Sequence, residues 1–84
     1  MKTVFYFTAE WCQPCKQVKP IVEEIDRDNP EPIFQIIDVD DNKELANSFQ
    51  IQAIPTFILF IDRVEVKRYT GAIGKAGLLD FVNG

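Results

Sequence analysis

The sequence predicts an α/β domain with a four-stranded mixed sheet and helices on both faces. Three observations carry this. Short β-branched and aromatic runs alternate with stretches of helical period. The first two runs are joined through a helix, as a parallel pair must be. The last two are joined by only two residues, which makes them antiparallel. With 84 residues the chain has room for one domain, residues 1–84, around one core.

The elements follow in order. Thr3 to Thr8 (TVFYFT) is β-branched or aromatic at both alternating sets of positions, which suits a central strand covered on both sides. From Gln13 to about Asp28, Val18, Ile21, Val22 and Ile25 recur at helical spacing among charges, and Pro20 is expected to kink this helix without ending it. Asn29-Pro30-Glu31-Pro32 is a turn cluster, and Ile33 to Val39 reads as a second buried strand. Asp40, Asp41 or Asn42 is placed to cap a short helix through about Phe49. Thr56 to Ile61 (TFILFI) is the most apolar run. Asp62-Arg63 makes a hairpin turn, Val64 to Tyr69 is the last strand, and Gly71 closes it. Gly74 to Val82 forms the final helix, with Ala76, Leu79 and Val82 on one face. The order is β-α-β-α-β-β-α.

Hydrophobic residues make up 46% of the chain and include seven Phe, so a packed core is feasible without disulfide staples or a structural metal. The domain is expected to fold with its cysteines oxidised or reduced. Thirteen acidic residues oppose nine basic ones, giving a net charge of -4, and the basic residues form no stripe. Binding to nucleic acid or an anionic membrane is therefore disfavoured. The apolar start of the chain is too short for a signal sequence and no run approaches a membrane span, so a cytoplasmic protein is expected.

Trp11-Cys12-Gln13-Pro14-Cys15 lies where the first strand ends and the first helix begins. Free backbone N–H groups and the positive end of the helix dipole favour a thiolate on Cys12. Pro14 fits the first turn, where its missing N–H has no intrahelical partner. Cysteines three apart on a helix can bridge, and the first is expected to be the more exposed. Cys12 is then the nucleophile and Cys15 the resolving thiol in thiol–disulfide exchange. An inert brace is disfavoured, because so short a loop adds little stability. A zinc site is disfavoured too: the chain has no His and no third Cys, so only a site shared between two chains would supply four ligands. No cofactor and no metal are expected.

The chain resembles the thioredoxin family. The match is carried by Ala9-Glu10-Trp11-Cys12-Gln13-Pro14-Cys15-Lys16, Pro20, Asp38-Val39-Asp40, Ile54-Pro55-Thr56 and Gly71-Ala72, in the family's order and across nearly the whole chain. The resemblance implies a minimal thioredoxin fold and a protein-disulfide reductase kept reduced by a thioredoxin reductase, a monomer acting on disulfide-containing proteins. It also implies that Pro55 is a cis-proline beside the cysteines, and that Trp11, Gln13, Pro14, Ile54, Pro55, Gly71 and Ala72 form the surface that docks substrate. Trp11 has a simpler alternative, core packing.

The sequence departs from the family in three places. The strand and helix that usually precede the active-site strand are absent, which leaves Ile33 to Val39 as an exposed edge. Tyr6 stands where thioredoxins commonly carry a buried acid, and Ile36 matches the lysine that accompanies it, so Cys15 must lose its proton by another route: water, Glu10 or the departing Cys12 thiolate. Gln13 replaces the usual Gly. Glutaredoxin-like chemistry with glutathione is the alternative favoured by size, although the Gly-Gly-x-Asp stretch is absent after Thr70. A binding module with incidental redox activity is the alternative from a different class.

Overall fold

The computed structural model describes residues Met1–Gly84. The elements are β1 (Lys2–Thr8), α1 (Gln13–Asp28), β2 (Ile33–Asp38), α2 (Lys43–Ser48), β3 (Thr56–Ile61), β4 (Val64–Thr70) and α3 (Lys75–Asn83). They form one sheet in the order β2-β1-β3-β4. β1 runs parallel to β2 and antiparallel to β3, and β3 is antiparallel to β4. The expected mixed sheet and element order are both present.

The period of two along β1 decides which helix packs where. Val4 and Tyr6 face α1 and α3, and join Val18, Val22, Ile25, Phe57, Leu59, Leu78 and Val82 in the larger core. Phe7 faces the other way and packs with Ile37, Ala46 and Ile58 beneath α2. One face thus carries two helices and the other a single short one. On the thinner side Phe5, Phe49 and Phe60 stay half-buried, their ring centroids 4.7–5.9 Å apart.

Several expectations are corrected. β2 ends at Asp38 rather than Val39, and only Phe34 and Ile37 are buried along it; Ile33, Gln35 and Ile36 are exposed and Asp38 is half-buried, because β2 is an edge strand. α1, by contrast, runs on through Pro20 without ending, as expected. The α2 N-cap is Asn42, yet its side chain makes no cap bond and instead donates to the Asp38 carbonyl at 3.0 Å. On α3 the buried pair is Leu78 and Val82, with Ala76 exposed, because the face meeting the sheet follows an i, i+4 row rather than i, i+3. Asp62 and Arg63 both adopt left-handed backbone, as a two-residue hairpin turn of the primed type requires. Asp62 also binds the N-terminal ammonium of Met1 at 2.6 Å, tying the turn to the start of β1.

Candidate active site

The chain leaves β1 at Thr8 and turns through Ala9, Glu10 and Trp11 before α1 starts, with the Cys12 N–H donating to the Ala9 carbonyl at 3.2 Å. Cys12 is the N-cap of α1, with extended backbone, and its carbonyl accepts from the Lys16 N–H at 3.3 Å. An N-cap side chain takes up one of the helix's unpaired N–H groups. Here the acceptor is sulfur: the Cys15 N–H donates to Cys12 Sγ at 3.2 Å. The first turn of α1 carries no acidic residue and Pro14 sits within it, so nothing there opposes negative charge on that sulfur.

Cys12 and Cys15 are joined as a disulfide, with a Cα separation of 5.2 Å. Both are buried, at 4% and 2% exposed, so exposure does not distinguish them as the sequence suggested. Position does. Cys12 Sγ lies 3.8 Å from the Ile54 carbonyl oxygen, whereas Cys15 lines a recess shared with Tyr6, Thr8 and Val22. Ala9 completes a small apolar cluster with the two cysteines, and Val39 and Ile54 pack against it.

The Ile54–Pro55 peptide is cis, as the resemblance implied; a second cis bond, Glu31–Pro32, was not foreseen. The Pro55 carbonyl accepts from the Gly71 N–H at 2.8 Å. Gly71 has φ +118°, a conformation side chains disfavour, which explains glycine at this position. Thr56 Oγ1 donates to the Ala53 carbonyl at 2.6 Å and meets Thr70 Oγ1 at 3.1 Å, so the loop facing Cys12 is held from both ends. Cys12, Cys15, Ile54, Pro55 and Gly71 are therefore brought together. Gln13 and Pro14 are exposed at the start of α1, and Ala72 is exposed just beyond Gly71.

Trp11 is 64% exposed, which rules out core packing. Its indole N–H donates to Asp40 Oδ2 at 2.8 Å. The Asp40 N–H in turn donates to Asp38 Oδ1 at 2.8 Å, so the two acids form a short bonded turn beside the indole. The sequence marks Asp40 as a possible helix cap and as part of the Asp38-Val39-Asp40 match to the family, but not as a partner of Trp11. Tyr6 is buried, stacks on Phe57 with centroids 4.9 Å apart, and donates its hydroxyl proton to the Cys15 carbonyl at 3.2 Å. Burial pushes its phenol above the ordinary value, so it remains protonated near neutral pH and offers no base. Ile36 is 56% exposed on the β2 edge.

The family model for thioredoxin matches residues 1–84. Thioredoxin of Mycobacterium tuberculosis is 50% identical over 74 residues, covering 87% of this chain and 64% of that protein. A bifunctional thioredoxin reductase/thioredoxin of Mycobacterium leprae is 49% identical over 74 residues, covering 87% of this chain and 16% of that protein. The crystal structure of Fasciola hepatica thioredoxin superposes with a TM-score of 0.89 at 37% identity, covering 96% of this chain and 77% of that one. The chain spans 64% of the length of the mycobacterial thioredoxin, just under two thirds. A family match along its whole length, together with a disulfide whose first cysteine caps α1 beside a cis-proline loop, places the chain in the thioredoxin family.

Proposed function

We propose that the chain is a protein-disulfide reductase working through Cys12 and Cys15. The observation that carries this is the N-cap geometry: the sulfur of Cys12 receives the Cys15 N–H at 3.2 Å at the positive end of a 16-residue helix. A thiolate there is stabilised by the same donor and dipole.

In the reduced protein the Cys12 thiolate attacks a substrate disulfide, forming a mixed disulfide and releasing one substrate sulfur as thiolate. Cys15, once deprotonated, attacks Cys12 Sγ, forming the Cys12–Cys15 bond and releasing the second substrate sulfur. Two electrons pass to the substrate, and the chain is left in the oxidised state described above.

Trp11, Gln13, Pro14, Ile54, Pro55, Gly71 and Ala72 form the docking surface. The Ile54 carbonyl lies 3.8 Å from the reacting sulfur, so a substrate segment pairing with the backbone there would present its disulfide to Cys12. A thioredoxin reductase supplies the electrons, a partner suggested by the fusion of the two activities in the name of the Mycobacterium leprae relative. The chain acts in the cytoplasm as a monomer, in electron transport that maintains cell redox homeostasis. No helix is long and apolar enough to cross a membrane.

The test is reduction of insulin disulfides, comparing NADPH plus thioredoxin reductase with glutathione plus glutathione reductase. Turnover with the first alone is expected. Turnover with glutathione alone would transfer the protein to glutaredoxin-like chemistry, and activity with neither would favour a binding role.

A further inference from the structure

Beneath the cysteine pair lies a recess of about 520 Å³ between β1, β2 and α1. Cys15 and Tyr6 line its inner wall, and Glu10, Lys16, Lys19 and Ile36, all exposed, line its outer part. It is therefore open to solvent and wide enough to admit water. The recess places Cys15 in the same space as one anchored carboxylate, that of Asp38.

We infer that Asp38 is the proton acceptor for the resolving thiol, taking the Cys15 proton through a water in this recess. The inference rests on the proposed roles of Cys12 as attacking and Cys15 as resolving thiol. In the step, the Cys15 S–H passes its proton to the water, which passes one of its own to the Asp38 carboxylate. The Cys15 thiolate forms the bond to Cys12 Sγ, the Cys12–substrate bond breaks, and the substrate sulfur leaves as thiolate. The proton on Asp38 then returns to solvent.

The charged and titratable groups facing the recess are few. β1 contributes Tyr6, which stays protonated. The β1–α1 turn contributes Glu10, α1 contributes Lys16 and Lys19, and β2 contributes Asp38. Of the two carboxylates, Glu10 is exposed and its side chain makes no hydrogen bond or ion pair. Asp38 is half-buried, and its position is fixed three times over. Its residue pairs with Thr8 across the β1–β2 register, its Oδ1 accepts from the Asp40 N–H at 2.8 Å, and its carbonyl accepts from Asn42 Nδ2 at 3.0 Å. Its second oxygen has no partner in the chain and is free to accept a proton. A fixed base loses less orientational freedom in the transition state than a mobile one, which favours Asp38 over Glu10.

The experiment is stopped-flow reaction of the reduced protein with 5,5′-dithiobis(2-nitrobenzoate) across pH. The first equivalent of nitrothiobenzoate reports attack by Cys12, and the second reports resolution by Cys15. Asp38→Asn keeps the Oδ1 acceptor for the Asp40 N–H and so preserves the turn, which thermal melting checks. It is expected to slow only the second phase at pH 7, by at least about 10-fold. That lies below the ~10²–10⁴ of a base in direct contact, because a water intervenes and bulk solvent competes. The deficit shrinks as pH rises and hydroxide takes over. Asp38→Glu recovers part of the rate, and Glu10→Gln stays within about twofold of the parent.

A second phase unchanged in Asp38→Asn, slowed equally at every pH, or slowed as much by Glu10→Gln overturns the assignment. Failure of the underlying roles reads differently. Cys12→Ser would then still show the fast first phase, or Cys15→Ser would release two equivalents instead of one.

Discussion

The indole N–H of Trp11 donates to the carboxylate of Asp40 at 2.8 Å, joining the residue before the nucleophile to the loop after β2. Both partners are exposed, so the bond orients the indole more than it stabilises the fold. Asp40→Ala is expected to cost less than about 1 kcal/mol in urea unfolding. It is also expected to lower the fluorescence anisotropy of Trp11, the only tryptophan, and to raise KM for a protein disulfide while leaving kcat nearly unchanged. A loss confined to kcat would show that the bond acts on the chemistry rather than on docking.

Tyr6 occupies the floor beneath Cys15 as a neutral, bonded side chain. Tyr6→Phe removes its bond to the Cys15 carbonyl and is expected to cost about 1 kcal/mol, read from denaturant midpoints. Tyr6→Asp is a harsher change. It loses the stack on Phe57 and leaves a cavity, a penalty of about 3–5 kcal/mol for deleting a large ring. Burial would raise the introduced carboxyl above its unfolded value. Its folded form is then favoured while protonated, and the destabilisation grows as pH rises above about 3.9. The same carboxylate is expected to speed resolution of the mixed disulfide. A variant more stable than the parent with an unchanged resolution rate would contradict both halves.

The fold was legible in the sequence because each layer writes its own period. β1 is apolar at both alternating sets of positions since helices cover both its faces, and α1 shows Val18, Val22 and Ile25 at helical spacing since only one stripe meets the sheet. The cysteine pair, its place at a helix start and the Ile54–Pro55 segment were legible as motifs. What escaped were bonds made by tertiary approach. Asp40 reaches Trp11 across 29 residues, and although Asp38-Val39-Asp40 was legible as a motif, nothing local marks Asp40 as the partner of the indole. The Tyr6 hydroxyl finds the Cys15 carbonyl only because α1 lies over β1. The choice of Leu78 rather than Leu79 on α3 was likewise made by packing, because adjacent leucines fit two helical faces equally well.

Arg68 couples β4 to the end of α2, donating from Nε and Nη2 to the Glu65 carboxylate at 2.8 and 3.0 Å and from Nη1 to the Phe49 carbonyl at 2.9 Å. The hydrogen bonds from Arg68 hold the Glu65 carboxyl below the usual carboxylate range. A lowered folded value means the pair stabilises above the unfolded carboxylate value and is lost as pH falls through the folded one. Glu65→Gln is therefore expected to lower Tm slightly at pH 7. The gap to the parent closes as the pH is brought below the folded value, and also in high salt, because the pair is exposed. A Tm gap that persists in acid would assign the effect to packing instead of charge.

Gly71 holds the loop facing the nucleophile through its N–H bond to the Pro55 carbonyl at 2.8 Å, and it does so at φ +118°. A Cβ added there meets nothing within 4 Å, so any penalty for Gly71→Ala comes from backbone conformation and not from a clash. The expected cost is about 1–3 kcal/mol if the native φ is kept. If the backbone relaxes instead, the bond to Pro55 lengthens and the Ile54 carbonyl shifts relative to Cys12. The relaxed outcome predicts a rise in KM for insulin with little change in the first-phase rate towards a small aromatic disulfide, since only the protein substrate uses the loop backbone. The retained outcome predicts lower stability with both rates intact. Equal slowing of both substrates without loss of stability would show that Gly71 acts on Cys12 directly, and would remove it from the docking surface.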